Sequence, residues 1–376
     1  MSHLPSLAGR SGATILVCVL VTAAAGGCAA NKSSGPTPKA TAITRYAKSA
    51  ALARNLAALG EFAGPITGTM TVGSVARPLS GTVSLKGTSS QIDLVEGGAT
   101  TDVIDEIVVG GKRYTSHDDE TWVSRGTKAA GTTLQSALAH ADTTSDAGVQ
   151  KVAGIAAHRI VTAPDKVDVA PALGIDTWTF DDESTTLRIW ADDAGKLVGF
   201  GASMNWRVSL GGVVEPVTAD LDVVLTPSSR VEIAAPASPW TWHEDKALGI
   251  AVGLPAGWKA SSINAAIGFT TYVDSSTGDS FAYDQAAAGK KSLEAVTKGV
   301  VDGLADTPSG TQTIAVAAED ASWLTVNRTK QKDYMVVVVV VHETLEYQIG
   351  VSGSQLDPNA VNAIAQRIVA TIEFTR

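Results

Sequence analysis

The chain has 376 residues, 44% apolar and 18% charged, with a formal net charge of −9. That composition supplies a sizeable core and excludes a chain that is disordered throughout. An acidic balance with no Lys/Arg cluster points away from nucleic acid as a partner.

The amino end carries an apolar run over residues 13–25 behind a weakly basic start at Arg10. About twenty apolar residues are needed for a helix to cross a bilayer, so this run reads as the core of a secretory signal. Ala25-Gly26-Gly27-Cys28 resembles the lipobox of bacterial lipoproteins, with Ala25 where that family more often has Leu. The resemblance implies a signal peptide over residues 1–27, an acyl anchor (diacylglycerol, palmitate-like chains) on Cys28, and a place on the extracytoplasmic face of the cell membrane. The alternative is an ordinary signal cleaved after an A-x-A-like site, with Cys28 left as a free thiol. In the lipidated reading Cys18 leaves with the signal, and loss of Arg10 moves the charge from −9 to −10. Disulfides, thiolate catalysis and cysteine-bound metals are then excluded. Two acyl chains suffice for stable anchoring, each buried methylene contributing about 0.8 kcal/mol. Residues 28–40, with Asn, Lys, Ser, Gly and Pro, cannot bury enough apolar area to fold and read as a flexible tether.

About 340 residues follow, enough for two domains. Residues 44–59 predict a helix with Leu52, Leu56 and Leu59 on one face and Gly60 at the stop. From Pro65 the period changes to two: ITGTMTV, GTVSLKG and QIDLVEGG alternate apolar with polar residues between Gly, Pro and Ser turns, an antiparallel meander. IVVGGKRYTSHDDETWVS adds two strands, with Tyr114 and Trp122 flanking an acidic turn, and residues 133–141 read as helical. Strands resume in VQKVAGIAAHRIVTA, TTLRIWADDAGKLVGFGASMNWRV and VEPVTADLDVVLTP. Parity puts Val198, Phe200, Ala202, Met204, Trp206 and Val208 on one side of a strand, and Val217, Ala219, Leu221, Val223 and Leu225 on one side of the next. Such a face must be covered, and one clear helix with one or two short ones falls short of covering it. The shortfall leaves room for a ligand. Candidate cavity residues are Met70, Val72, Val83, Leu85, Val198, Phe200, Ala202, Met204, Trp206, Leu221 and Val223. The same alternation serves equally for ordinary core.

The order helix, meander, VVGGKRYTSHDDETWV, VAGIAAHRIV and LRIWADDAGKLVGF, over about residues 41–233, resembles the LolA and LppX/LprG lipoprotein superfamily. The resemblance implies a curved antiparallel sheet, a half-barrel that half-wraps covering helices, whose cavity takes up acyl chains. VEIAAPASP supplies a Pro/Ala linker at residues 234–239. Beyond it, residues 240–376 open with a strand running into Leu254-Pro255-Ala256-Gly257-Trp258 and close with DPNAVNAIAQRIVATIEF, where Asp357 caps a helix and Pro358 sits in its first turn. A helix at residues 292–304 lies between, and the valines Val336 to Val341 suit a central strand buried on both faces. This smaller antiparallel sheet flanked by helices resembles the PsbP-like and LpqN-like fold, in which binding and assembly roles predominate. The fold class is therefore α+β.

No G-x-S-x-G, S-x-x-K, H-E-x-x-H or G-x-x-x-x-G-K motif occurs, and no spaced Cys/His metal site. His117-Asp118-Asp119-Glu120 could meet a cation, but consecutive side chains seldom converge on one ion, and a solvated hairpin turn is the preferred reading. Asp181-Asp182-Glu183 and Asp192-Asp193 read as turns, and His158 and His342 as hydrogen-bonded strand residues. The sequence thus predicts a non-enzymatic lipoprotein, without cofactor or metal, that binds a lipid or another acyl-bearing amphiphile. A structural or interaction lipoprotein that recruits an envelope protein partner is the rival, and a hydrolase built from dispersed acids is a third reading.

Overall fold

The period of two that dominates the sequence is answered by strands. The computed structural model describes residues 61–375 apart from 88, 98–101, 117, 119, 127–141, 164–180, 193–196, 211–212, 229, 262–269, 318 and 354–356. The signal peptide, Cys18, Cys28, the tether and the helices expected at 44–59 and 133–141 lie outside the described residues.

In chain order come β1 (Glu61–Val72), β2 (Val75–Lys86), β3 (Ser89–Glu96), β4 (Asp102–Val109), β5 (Lys112–Ser116), β6 (Val123–Gly126), β7 (Asp142–Val152), β8 (Ile155–Ala163), β9 (Asp181–Ala191), β10 (Leu197–Leu210), β11 (Val213–Val224) and β12 (Thr226–Pro227). After residues 234–239 follow β13 (Trp240–Asp245), β14 (Ile250–Leu254), β15 (Lys259–Ser261), β16 (Thr270–Val273), β17 (Ser280–Ala287), helix α1 (Leu293–Gly303), β18 (Gly310–Val316), β19 (Glu319–Arg328), β20 (Asp333–His342), β21 (Leu345–Gly353), helix α2 (Pro358–Ala370) and β22 (Glu373–Phe374).

Two open sheets result. The first runs β22-β14-β13-β6-β5-β4-β3-β2-β1-β11-β10-β9-β8-β7, with β12 beside β1, and the second runs β15-β16-β17-β21-β20-β19-β18. Neighbouring strands are antiparallel throughout the described ladders except where β6 meets β13. Among the described residues the two helices both belong to the second sheet. Its central strand β20 sends Val336, Val338 and Val340 into one apolar cluster and Val337 and Val339 into another. Helix α2 packs in the first cluster through Val361, Ala365 and Ile368, and α1 in the second through Val296 and Val300. Both helices start as the sequence predicts. The Ser292 hydroxyl accepts from Ala295 N–H (3.3 Å), and the Asp357 carboxylate accepts from Ala360 N–H (2.9 Å) with Pro358 behind it.

Residues 234–239 are irregular, and most of them are exposed. The strands on either side are nevertheless tied together. Trp240 pairs with Val123 and Thr241 with Ser124, and Trp240 N–H donates to Trp122 O (2.7 Å). Val123 of β6 is buried in the same cluster as Ile250, Val252 and Leu254 of β14. Limited proteolysis is therefore expected to cut within 234–239 and to leave two fragments that co-elute on size exclusion. Fragments that separate without denaturant would show that this junction contributes little.

Candidate functional site

Six neighbouring strands, β3, β2, β1, β11, β10 and β9, build one continuous apolar face. Its rows are read from the pairing. Leu94, Gly81, Ile66, Val223, Phe200 and Ile189 stand side by side across the six strands. The next row is Leu79, Gly68, Leu221, Ala202 and Leu187, and beyond it Met70, Ala219 and Met204 are adjacent, followed by Val72, Val217 and Trp206. Large residues alternate with Gly or Ala along the second and third rows, and in the first Gly81 stands between Leu94 and Ile66. Side chains therefore settle over their small neighbours, and strands can approach closely where the glycines stand. The glycine at 68 lies so near β11 that a Cβ there would sit 2.3 Å from the Asp220 carbonyl oxygen.

Met70, Val83, Leu85, Phe200, Ala202, Met204, Trp206, Leu221 and Val223 all lie in this one cluster, each no more than 4% exposed. Val72 packs half-buried at its margin. Val198 does not belong to it. The pairing of β10 with β9 slips between Leu197 and Gly199, so Leu197 joins the Phe200 side while Val198 turns to the opposite face beside Val152, Ala157 and Trp190. A bulge of this kind inverts parity for the residues before it, and nothing in the alternation of the sequence marks it. Leu187 and Ile189 of β9 were the members that strand parity in LRIWA could have supplied, and they complete the face.

The interior of the face is apolar, and charged residues of the same parity, Arg77, Glu96 and Glu215, stand at its margins. At one margin Arg77, opposite Met70, donates to Glu96, opposite Leu79 (2.5 Å). The reverse side of the sheet is apolar around Val198 and Trp190 and polar around Arg188. Arg188 of β9 reaches across β10 to Asp220, to Asp222 (2.8 Å), to Leu221 O (3.0 Å) and to Ser203 Oγ. Burial opposes the charge on Arg188, but the two carboxylates outweigh it and raise its pKa above the ordinary guanidinium value.

The acidic hairpin serves the junction. His117 and Asp119 lie outside the described residues, but Asp118 closes the turn, its Oδ1 accepting from Glu120 N–H (2.9 Å) and Thr121 N–H (2.5 Å) and its Oδ2 from the Thr121 hydroxyl (2.7 Å). Burial pushes the Asp118 pKa up, while the bonds from Thr121, Glu120 and Ser116 outweigh it and hold the carboxyl below its ordinary value. Thr121 Oγ1 in turn accepts from Arg367 Nε of α2 (2.8 Å), whose guanidinium lies 4.8 Å from the Trp240 ring centroid. Arg125 of β6 donates to Thr115 Oγ1 and Glu373 and stacks 3.5 Å from the Trp242 ring centroid. These residues draw the two halves together.

The remaining acids and histidines are dispersed. Asp181-Asp182-Glu183 opens strand β9 instead of forming the expected turn, and Asp193 lies outside the described residues. His342 Nδ1 bonds Glu319 (2.9 Å) and stacks on Phe374. Among the described residues no group of three or more His, Cys, Asp or Glu is arranged to hold a metal ion, and no helix is long and apolar enough to cross a membrane.

No protein-family profile matches the chain, and no curated protein matches its sequence. Solved structures do resemble it. LprF from Mycobacterium bovis is 15% identical, covering 53% of this chain and 99% of its own at a TM-score of 0.29. The lipoprotein LppX of Mycobacterium tuberculosis is 15% identical over 49% of this chain and 98% of its own, TM-score 0.27. Cyanobacterial PsbP (CyanoP) from Synechocystis is 12% identical over 40% of this chain and 99% of its own, TM-score 0.30. With scores this low, function rests on the chain's own residues.

Proposed function

We propose that the protein is an extracytoplasmic lipoprotein, anchored to the cell membrane by acylated Cys28, that holds a lipid or other acyl-bearing amphiphile and carries out no covalent chemistry. The observation that supports it is the broad apolar face spanning β1–β3 and β9–β11, with its charges kept to the margins. A surface of that kind offers dispersion contact and exclusion of water, which is what an acyl chain needs, and the Arg77–Glu96 pair at its margin offers polar atoms to a headgroup. In this reading residues 28–40 form the tether, and 41–233 hold the ligand under the helices expected at 44–59 and 133–141. Residues 234–239 form the linker, and 240–376 steady the first domain or dock an envelope protein. The rival, a structural or interaction lipoprotein with the face filled by its own side chains, is favoured by one fact: Ala202 and Val223 are already fully buried.

Cys28→Ser is expected to release the protein from membranes into the medium, whereas Cys18→Ser leaves its location unchanged, as cell fractionation would report. Retention of the Cys28→Ser form would sink the anchor. The released form also provides material for organic extraction and mass spectrometry, in which a co-purifying acyl-bearing molecule is expected.

The face itself is tested at Ala202, which stands between Leu221 and Leu187. Ala202→Trp is expected to cut uptake of a fluorescent fatty acid about tenfold while shifting stability by less than the roughly 1 to 3 kcal/mol of an overpacked core. Ser203→Ala, on the Arg188 side, leaves uptake unchanged. A wild type that never takes up lipid, together with an Ala202→Trp form that melts markedly earlier, would establish the filled core instead.

A further inference from the structure

An open sheet has two edges, each a row of backbone donors and acceptors free to pair with another strand. Among the described residues these edges are β22, β7, β15 and β18. Three of them are blunted. β22 has two residues and β15 three. β7 slips register between Thr143 and Ser145 and again between Asp146 and Val149, and it carries Asp142, Asp146 and Lys151. β18 has none of these protections. Its seven residues, GTQTIAV, include no charge and no proline, and its ladder with β19 runs without a slip from Gly310–Thr325 to Val316–Glu319. Gly310 to Thr313 and Ala315 are exposed.

The turn decides which backbone groups point outward. Two residues separate Val316 from Glu319, and Ala317 has a φ of 46°. A two-residue hairpin of this kind closes on a hydrogen-bonded pair, and such pairs then alternate along the ladder. Gly310, Gln312, Ile314 and Val316 therefore serve β19, and the N–H and C=O groups of Thr311, Thr313 and Ala315 face solvent.

A strand of the same sequence complements that row. In the antiparallel register centred on Thr313, Thr313 meets Thr313 and Thr311 meets Ala315, all of them outward-bonding residues, with Gln312 against Ile314 between. No charge is brought opposite its like, the usual bar to self-pairing, and a two-fold contact requires only a surface complementary to itself. We propose that two copies of this chain associate through β18, antiparallel about Thr313, joining their second sheets into one continuous sheet.

Cysteine cross-linking of the full chain in detergent tests this, with the wild type as the blank for Cys18 and Cys28. Residues of a hydrogen-bonded antiparallel pair have Cα atoms about 5.5 Å apart, within disulfide reach. Mild oxidation of Thr313→Cys is expected to give a covalent homodimer. Thr311→Cys, whose two copies would stand four residues apart, about 13 Å along the strand, should give at least about tenfold less. Thr313→Lys sets two ammonium groups face to face and is expected to weaken association about tenfold or more by analytical ultracentrifugation. Its melting temperature should hold, because the backbone of Thr313 serves no internal bond. Equal cross-linking at both positions, cross-linking to a different protein instead, or a dimer that survives Thr313→Lys overturns the proposal.

Discussion

Arg113→Met is expected to destabilise the fold by about 3 to 5 kcal/mol, read as a shift in the urea midpoint of the full chain. Arg113 of β5 donates Nε to Glu106 of β4 at 2.5 Å, and the two side chains are only 5% and 1% exposed. Methionine replaces the aliphatic stem of the arginine but takes the guanidinium away from the buried Glu106 carboxylate. Coulomb attraction and desolvation nearly cancel in an intact buried pair, so removing one partner exposes the full desolvation cost. Replacing both, Glu106→Leu with Arg113→Met, should recover most of the loss. If the double variant is as unstable as the single one, packing around the pair and not its charge governs this hairpin.

Gly81→Ala is expected to cost about 3 kcal/mol or more, at the upper end of what overpacking does, although it adds one methyl group. That Cβ would lie 2.0 Å from the Asp93 carbonyl oxygen and 3.0 Å from Leu94 Cα. Both belong to backbone held in the β2–β3 ladder, so no rotamer change relieves the clash and the strands must part. The row from Leu94 to Ile189 would open with them. Gly299→Ala provides the opposite sign, since nothing lies within 4 Å of a Cβ on that α1 residue. There the better helix former should add up to about 1 kcal/mol. Equal effects at the two glycines would remove the steric account of the sheet.

Local patterns in the sequence carried much of this. Alternation marked the strands, Asp357 and Pro358 marked the start of α2, and the valine run of β20 announced burial on both faces, because each of these depends on residues close in the chain. Alternation misplaces Val198 because parity propagates only as far as the register holds, and the slip beside Leu197 is set by pairing with β9. The junction was illegible for a related reason. Arg125 and Glu373 are 248 residues apart and Arg367 and Thr121 246 apart, and neither stretch announces a partner at that distance. The sequence marks His117-Asp118-Asp119-Glu120 as a solvated turn, and Asp118 does close one. That Thr121 beside it holds α2 comes only from the tertiary arrangement.

The separation in sequence across that junction also sets an order of events during biosynthesis. The hairpin of β5 and β6 is made early, but Glu373 emerges 248 residues after Arg125. At roughly 5 to 20 residues per second, that is a wait of about 12 to 50 seconds. Until then Val123 lacks the α2 and β22 side of its core and Arg125 lacks its carboxylate, so the hairpin offers a partly covered valine and an arginine held by Thr115 to whatever surrounds the nascent chain. Docking of the hairpin is therefore a late checkpoint: a polypeptide that stops short of β22 should display it and be distinguishable by quality-control proteases from one that has been finished.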